Sequence, residues 1–375
     1  MKKILAVNND IGGANAIINP ILKLIDNHQI DLTVISEGPS QKIYAQKKFS
    51  YKTLADYDIK KLELNSFDSI FEQEKPDLLI TGTSGISDLE RYAIYCAKKF
   101  SKPSISVLDG YIDHGMRFLD NSSNDKYRFL PNYICVLDQF SLEQSQKEGL
   151  DKSNLIITGN PYFDDLISLR TNFKLEDRIR IRKELNIPET NYLITFASQY
   201  ITTRIKELGF DPGYTEFTVL KSVYESLKKI MKENLTLLVK IHPDPKEDIE
   251  NTKKAIVDQL KSHQIIFLRD KNTRQHILAS DLIIGMNSAS LLEAVYLGKS
   301  VLSVQPNLVG EDSLITNKLG LSVPVYKNDD LEPVLEKIIF DKKFKNDLHQ
   351  RLSKFNLDSR STERVVNLIY KILKI

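Results

Sequence analysis

The sequence predicts an α/β protein made of two doubly wound parallel-sheet domains. Two observations carry this. Short Val-, Ile- and Leu-rich runs recur along the 375 residues, many closed by a turn bearing Gly, Asn or Asp. Strands buried on both faces read as such continuous apolar runs. Between them lie segments whose apolar residues recur at three- and four-residue spacing, the mark of amphipathic helices. Strand and helix in alternation build a parallel sheet. A charged helical stretch at 170–190, broken at Leu185-Asn-Ile-Pro188, separates two such series and reads as a linker. The length suits roughly two domains.

The first series opens with a strand at Lys3–Val7, a polar turn from Asn8 to Asn15, and a helix with Ile17, Ile18, Ile21, Leu22 and Ile25 on one face. This is a Rossmann-like opening without GxGxxG, so the dinucleotide fingerprint is absent. Gly12-Gly13 either lets a ligand approach the backbone or serves a tight strand-to-helix turn. Strands are expected at Leu32–Ser36, Leu62–Leu64, Asp77–Thr81, Ser104–Leu108, Tyr133–Leu137 and Leu155–Thr158, and helices at Ser66–Glu74, around Leu89–Ala97, at Ser141–Glu148 and at Tyr162–Leu169. In such a sheet ligands bind beyond the carboxyl ends of the strands. Asp10, Gly82–Ser84, Asp109 and Gly159-Asn160 all fall there. Asp164-Asp165 reads as a solvated helix start.

The second series begins at Tyr192–Ala197. Ser198–Gly213 is a polar loop, long for its place and therefore a candidate functional loop. Helices at Thr215–Lys232 and Asp248–Leu260 flank a strand at Leu235–Ile241, which ends in His242-Pro243. Ile265–Leu268 is a strand and Arg274–Leu278 a short helix. The next stretch, ASDLIIGMNSASLLEAVYLGKSVLSVQP, reads as strand, turn, helix at Leu291–Leu297, and strand at Val301–Val304. Ser290-x-x-Glu293 has the form of a capping box. A helix start after a strand, flanked by Gly and hydroxyl residues, offers amides and a positive dipole end to a phosphate, or is an ordinary capped helix.

Net charge is +2 with Lys and Arg spread among Asp and Glu, which argues against a nucleic-acid partner. Cys96 and Cys135 match no metal spacing and read as reduced thiols of a cytoplasmic protein. No apolar run approaches the ~20 residues of a membrane span. There is no Walker A motif and no Cys/His cluster.

Several segments sharpen this picture. Lys240-Ile-His242-Pro243 resembles the HP motif of bacterial sialyltransferases, polysialyltransferases and Kdo transferases. Gly285-Met-Asn287-Ser288-Ala289-Ser290-Leu-Leu-Glu293 is similar to their serine-rich motif and to the matching segment of CDP-glycerol glycerophosphotransferases. Gly159-Asn160-Pro161 with Asp164 resembles the end of the first domain in UDP-GlcNAc 2-epimerases and lipid A disaccharide synthases. The GGIQEE-type epimerase signature is missing at Gly285–Glu293.

These resemblances imply a GT-B glycosyltransferase: two Rossmann-like domains, 1–170 for the acceptor and 190–355 for the nucleotide-sugar donor, with an inter-domain cleft. A final helix, 356–375, would pack back on the first domain. Docking of Arg364–Ile375 on a membrane surface is the second reading. The donor site would comprise His242, Pro243, Gly285, Asn287, Ser288, Ala289, Ser290 and Glu293, with His242 on a phosphate and Glu293 on ribose hydroxyls. Lys240 reads as a solvated lysine. Gly12, Gly13, Thr83, Ser84 and Asn160 would line the acceptor side.

Glycosyl transfer needs charge stabilisation at the leaving phosphate and a base for the acceptor hydroxyl. Asp10 is the first choice for that base, although it is equally placed to cap its helix; Asp109 and His114 follow. No metal or other cofactor is expected. The donor expected first is a CMP-activated acidic sugar, then a UDP-sugar, with a surface glycan or glycoprotein as acceptor. A hydrolysing epimerase and a non-catalytic glycan binder are the rival readings. CDP-glycerol polymer synthesis ranks last because the chain is only weakly basic.

Overall fold

The computed structural model describes residues 1–242, 250, 264–270, 272–354 and 358–375. The chain divides into two compact units, Met1–Asp165 with Asp358–Ile375, and Leu166–Leu357. In the first, β1 (Lys2–Asn8), α1 (Ile11–Leu24), β2 (Ile30–Ser36), α2 (Gln41–Gln46), α3 (Phe67–Glu74), β3 (Leu78–Thr81), α4 (Leu89–Lys99), β4 (Ser104–Val107), α5 (His114–Phe118), β5 (Tyr133–Val136), α6 (Gln139–Lys147) and β6 (Leu155–Ile157) follow in turn. The six strands form a parallel sheet in the order β2-β1-β3-β4-β5-β6. The inner strands β3 and β4 are buried at every residue, as a sheet covered by helices on both faces requires.

After α7 (Pro161–Asn172), the second unit runs through α8 (Leu175–Glu184), β7 (Tyr192–Ala197), α9 (Ile201–Leu208), α10 (Glu216–Ile230), β8 (Leu235–Lys240), β9 (Gln264–Leu268), α11 (Thr273–Ala279), β10 (Leu282–Gly285), α12 (Ala289–Tyr296), β11 (Val301–Val304), α13 (Ile315–Lys318), β12 (Val323–Val325), α14 (Asn328–Phe340) and α15 (Lys342–Lys354). Its sheet is also parallel, ordered β12-β11-β10-β7-β8-β9. The fold is α/β with two Rossmann-like parallel sheets, the composition of a GT-B protein.

Four expectations need correction. Leu62–Leu64 forms no strand: its two leucines sit among Lys61 and Glu63, too few apolar residues to fill a ladder. The stretch 170–190 is no free linker, because Asp281 accepts hydrogen bonds from Arg178 Nη2 (2.6 Å), Arg182 Nη2 (2.7 Å) and Leu193 N (2.8 Å), pinning α8 to the second sheet. The polar loop 198–213 contains α9, whose Ile201 and Ile205 reach the core at helical spacing. Asp164 is buried and accepts from the backbone N–H groups of Ser361 (3.2 Å) and Thr362 (2.7 Å), capping the last helix from a distant point in the chain. The helix expected at Asp248–Leu260 lies outside the described residues, Glu250 apart.

That last helix, α16 (Ser361–Leu373), belongs to the first unit. Val365, Val366, Ile369 and Leu373 are buried in one cluster with Ile17, Ile18 and Ile21 of α1. Gly159 sits beside its start at φ +80°, where a Cβ would come 2.3 Å from Ser361 Oγ. The apolar stripe is therefore consumed by packing, which withdraws it from the membrane-docking reading. Among the described residues no helix is long and apolar enough to cross a membrane. Ile369 is fully buried, so Ile369→Ala is expected to lower stability by about 2–5 kcal/mol in a denaturant titration.

Candidate functional site

In the second sheet the order reverses between β7 and β10. The chain leaves β7 toward β8 on one side and β10 toward β11 on the other. Crossovers that diverge open a crevice at the carboxyl ends of the two strands. The register pairs Ala197 with Gly285, so both strands end level. At that place lies a cavity of about 740 Å³, within the usual range for a small-molecule site. It gathers His242 from the end of β8 and Asn287, Ser288, Ala289, Ser290 and Glu293 from the β10–α12 turn. These six residues of the sequence expectation line the same cavity.

The helix start differs from expectation in detail. α12 begins at Ala289, with Ser288 as its cap: Ser288 Oγ accepts from Ser290 N at 3.2 Å. Ser290 thus sits inside the first turn, and the Ser290–Glu293 capping box does not form. Glu293 instead accepts from Arg274 Nε and Nη2, both at 3.3 Å. Gly285 is buried and does not face the cavity; a Cβ there would meet Leu291 Cδ2 at 3.0 Å and Ala197 O at 3.3 Å. It is glycine because helix and strand pack too closely for a side chain. Asn287 ties three loops together. Its N–H donates to Gln199 Oε1 (3.0 Å), its carbonyl accepts from Gln199 Nε2 (2.6 Å), and its Nδ2 donates to Ser313 Oγ (2.7 Å).

Sequence reading missed the cations of this site. Arg204 from α9 and Arg274 from α11 line the cavity with Lys240. Lys240 is not solvated: it is 4% exposed and ion-paired with Asp270. Strand alternation alone cannot reveal such a partner, which comes from the loop after β9. His242 packs its ring against Tyr200 at 4.7 Å and 70°. Pro243 lies outside the described residues.

The first sheet reverses between β1 and β3, and Val7 pairs with Thr81 there. Asp10 occupies the cap position of α1, yet its side chain makes no capping bond. It accepts from Ser84 Oγ (2.7 Å) and Asn9 Nδ2 (2.9 Å) instead. Asp109 Oδ1 accepts from Thr83 Oγ1 (3.0 Å) and from Arg117 Nη1 (2.5 Å). Asn160 Nδ2 donates to Asp109 O (3.2 Å). The structure therefore brings Asp10, Thr83, Ser84, Asp109 and Asn160 to one sheet edge.

Close packing accounts for Gly12 and Gly13: a Cβ on Gly12 would lie 1.9 Å from Asp109 Oδ2, and one on Gly13 would lie 2.9 Å from Thr83 N. His114 is removed from the candidates. It is fully buried, its Nε2 donates to Gly110 O (2.8 Å) and its Nδ1 lies 2.8 Å from Ser145 Oγ. Burial holds its pKa below the ordinary histidine value, so it is a neutral structural ring.

The residue that reading along the chain could not find is Glu90, on the first turn of α4. It is 3% exposed, Oε1 accepts from Asn9 N (2.7 Å), and Oε2 has no hydrogen-bond partner. Burial first, then the charges of Asp10 and Asp109, push its pKa up from 4.5 to about 7. The folded state then binds more protons than the unfolded chain between those values, so stability falls as pH rises through that window. Glu90→Gln removes this slope: between pH 4.5 and 7.5 the native protein should lose about 3 kcal/mol relative to the variant, measured by urea unfolding.

Comparison with known proteins agrees with this architecture. Solved structures with the same fold include UDP-GlcNAc 2-epimerase from Neisseria meningitidis bound to UDP-GlcNAc (TM-score 0.71, 16% identity, 99% of each chain covered). They also include a glycosyltransferase from Rickettsia africae (0.65, 14%, 100% of this chain and 99% of that one). Anabaena Alr3699/HepE in complex with UDP and glucose is a third (0.63, 11%, 100% of both). At these identities they are similar in fold alone. No curated protein matches the sequence. The model of the CDP-glycerol:poly(glycerophosphate) glycerophosphotransferases matches residues 122–371, about two thirds of the sequence, and outweighs the ranking by bulk charge. The chain belongs to that family.

Proposed function

We propose that this protein is a transferase that moves a group from a nucleotide-activated donor to a hydroxyl of a glycan acceptor, with the donor phosphates held in the cavity of the second unit. One observation carries the proposal: the cavity at the β7–β10 reversal collects Arg204, Lys240, His242 and Arg274 around the start of α12. A phosphate leaving group gains negative charge as its bond breaks, and preorganised cations and helix-start dipoles stabilise that charge. Four cationic or cation-forming side chains supply this in the present reading, which invokes no divalent ion; Lys240 and Arg274 do so while paired with Asp270 and Glu293. Glu293, held by Arg274, is placed to accept from ribose hydroxyls.

A cytidine nucleotide is the first candidate donor, since the HP-type segment and the family both point to cytidine-linked donors; a UDP-sugar is second. The transferred group is a sugar in the HP-motif reading and glycerophosphate in the reading the family model favours. Asp10 is the proposed base, because its carboxylate faces Ser84 rather than the amides of its own helix. Asp109 is the weaker candidate, neutralised by Arg117.

Calorimetry with CMP, CDP and UDP tests the donor assignment. Cytidine nucleotides should bind more tightly than UDP, and Arg274→Ala or His242→Ala should weaken binding about 10- to 100-fold, as expected for loss of a charged hydrogen bond. Absence of binding by all three nucleotides overturns the site. Turnover of CDP-glycerol but not of CMP-sugars would replace the sugar reading by glycerophosphate transfer. Free sugar released without acceptor would favour a hydrolysing epimerase.

A further inference from the structure

Behind the cavity wall two buried groups, Lys240 and His276, flank the exposed carboxylate of Asp270 in a charge arrangement that phosphate binding alone leaves unused. Lys240, the last residue of β8, lines the cavity, and its ammonium is paired with Asp270 Oδ1. The same oxygen accepts from Asn272 N at 3.1 Å. His276 Nδ1, on α11, lies 3.7 Å from it. That nitrogen is buried and makes no hydrogen bond. A buried polar atom left unsatisfied is costly, so the arrangement holds a site for one proton beside a carboxylate.

We propose that Lys240, Asp270 and His276 form a proton-linked counter-charge for the donor phosphate. When the phosphate engages Lys240, His276 takes a proton on Nδ1 and becomes the second cation of Asp270. This rests on the donor assignment above. In the empty site Asp270 neutralises Lys240 and His276 stays neutral. Burial and the field of Lys240 lower the proton affinity of His276, against the opposing pull of Asp270 and Glu184. A phosphate at Lys240 adds one or two negative charges on the opposite side and cancels the lysine's field, so His276 gains affinity for a proton. The proton comes from solvent, Nδ1–H then donates to Asp270, and no covalent bond changes.

Of the other charges around α11, Lys299 donates to Leu278 O (2.7 Å) and Ser280 O (2.9 Å) at its end. Arg178 and Arg182 of α8 pair with Asp281, and Arg274 of α11 pairs with Glu293 of α12. Glu184, at the end of α8, is the remaining carboxylate that acts on His276. The phosphate pocket thus reaches its counter-charge through a single chain of contacts, Lys240 to Asp270 to His276.

Calorimetric titration of CMP at pH 7 in PIPES and in Tris reads the protons exchanged on binding. Native protein should take up a larger fraction of a proton than His276→Gln; the nucleotide's own titration is common to both and cancels. Equal proton uptake in the two proteins overturns the proposal. If CMP fails to bind the native protein, the donor assignment falls and the proposal with it. Should His276→Gln not fold, ring-carbon NMR of the native protein, which has six histidines, takes its place. One histidine midpoint should move to higher pH on adding CMP, and that movement should vanish in Asp270→Asn. No moving midpoint, or one that persists in Asp270→Asn as a response of His242 would, overturns it.

Discussion

The reversal of strand order between β7 and β10 is the constraint on which the candidate site depends. A right-handed crossover places its helix on a fixed face of the sheet, so two crossovers that leave neighbouring strands in opposite directions cannot both cover the strand ends between them. The gap they leave is bounded by the loops after β7 and β10 and floored by the end of β8. Polar and cationic residues can sit there because the crevice stays open to water while the strands beneath are fully buried. The same reversal between β1 and β3 gathers the acidic groups of the first unit.

Charge is distributed differently at the two edges. The second unit presents arginine, lysine and histidine around a helix start. The first presents Asp10, Glu90 and Asp109, with Arg117 paired to Asp109. The proposed function assigns a phosphate-bearing ligand to the former and proton acceptance from a hydroxyl to the latter. Both edges also show how glycine is used. Gly12, Gly13 and Gly285 have negative φ or ordinary backbone, and they are glycine because strand, helix and loop approach within the space a Cβ would need.

Much of this was legible along the chain. The alternation of apolar strand runs and amphipathic helices located eleven of the twelve described strands within a residue or two; β12 (Val323–Val325), a three-residue edge strand containing Pro324, carries too little pattern to be seen. That His242, Ser288, Ser290 and Glu293 lie at a sheet edge was legible because strand–turn–helix signals mark such places. The role of Ser288 as cap and the partnership of Glu293 with Arg274 were not, because helix boundaries shift by a residue or two and a capping box depends on that register.

Sequence by itself determined the class of fold, the number of parallel sheets and which loops meet at their carboxyl ends, since periodicity and turn residues are local properties. Tertiary structure alone decided the partners. Lys240 with Asp270, Asp10 with Ser84, and Asp164 with the amides of Ser361 and Thr362 join residues 30, 74 and nearly 200 positions apart. It also decided that Glu90, on a helix whose pattern marks it as ordinary, is buried with an unsatisfied oxygen. Ionisable groups acquire their chemistry from burial and from neighbours across space, and neither is written in the spacing of a single chain.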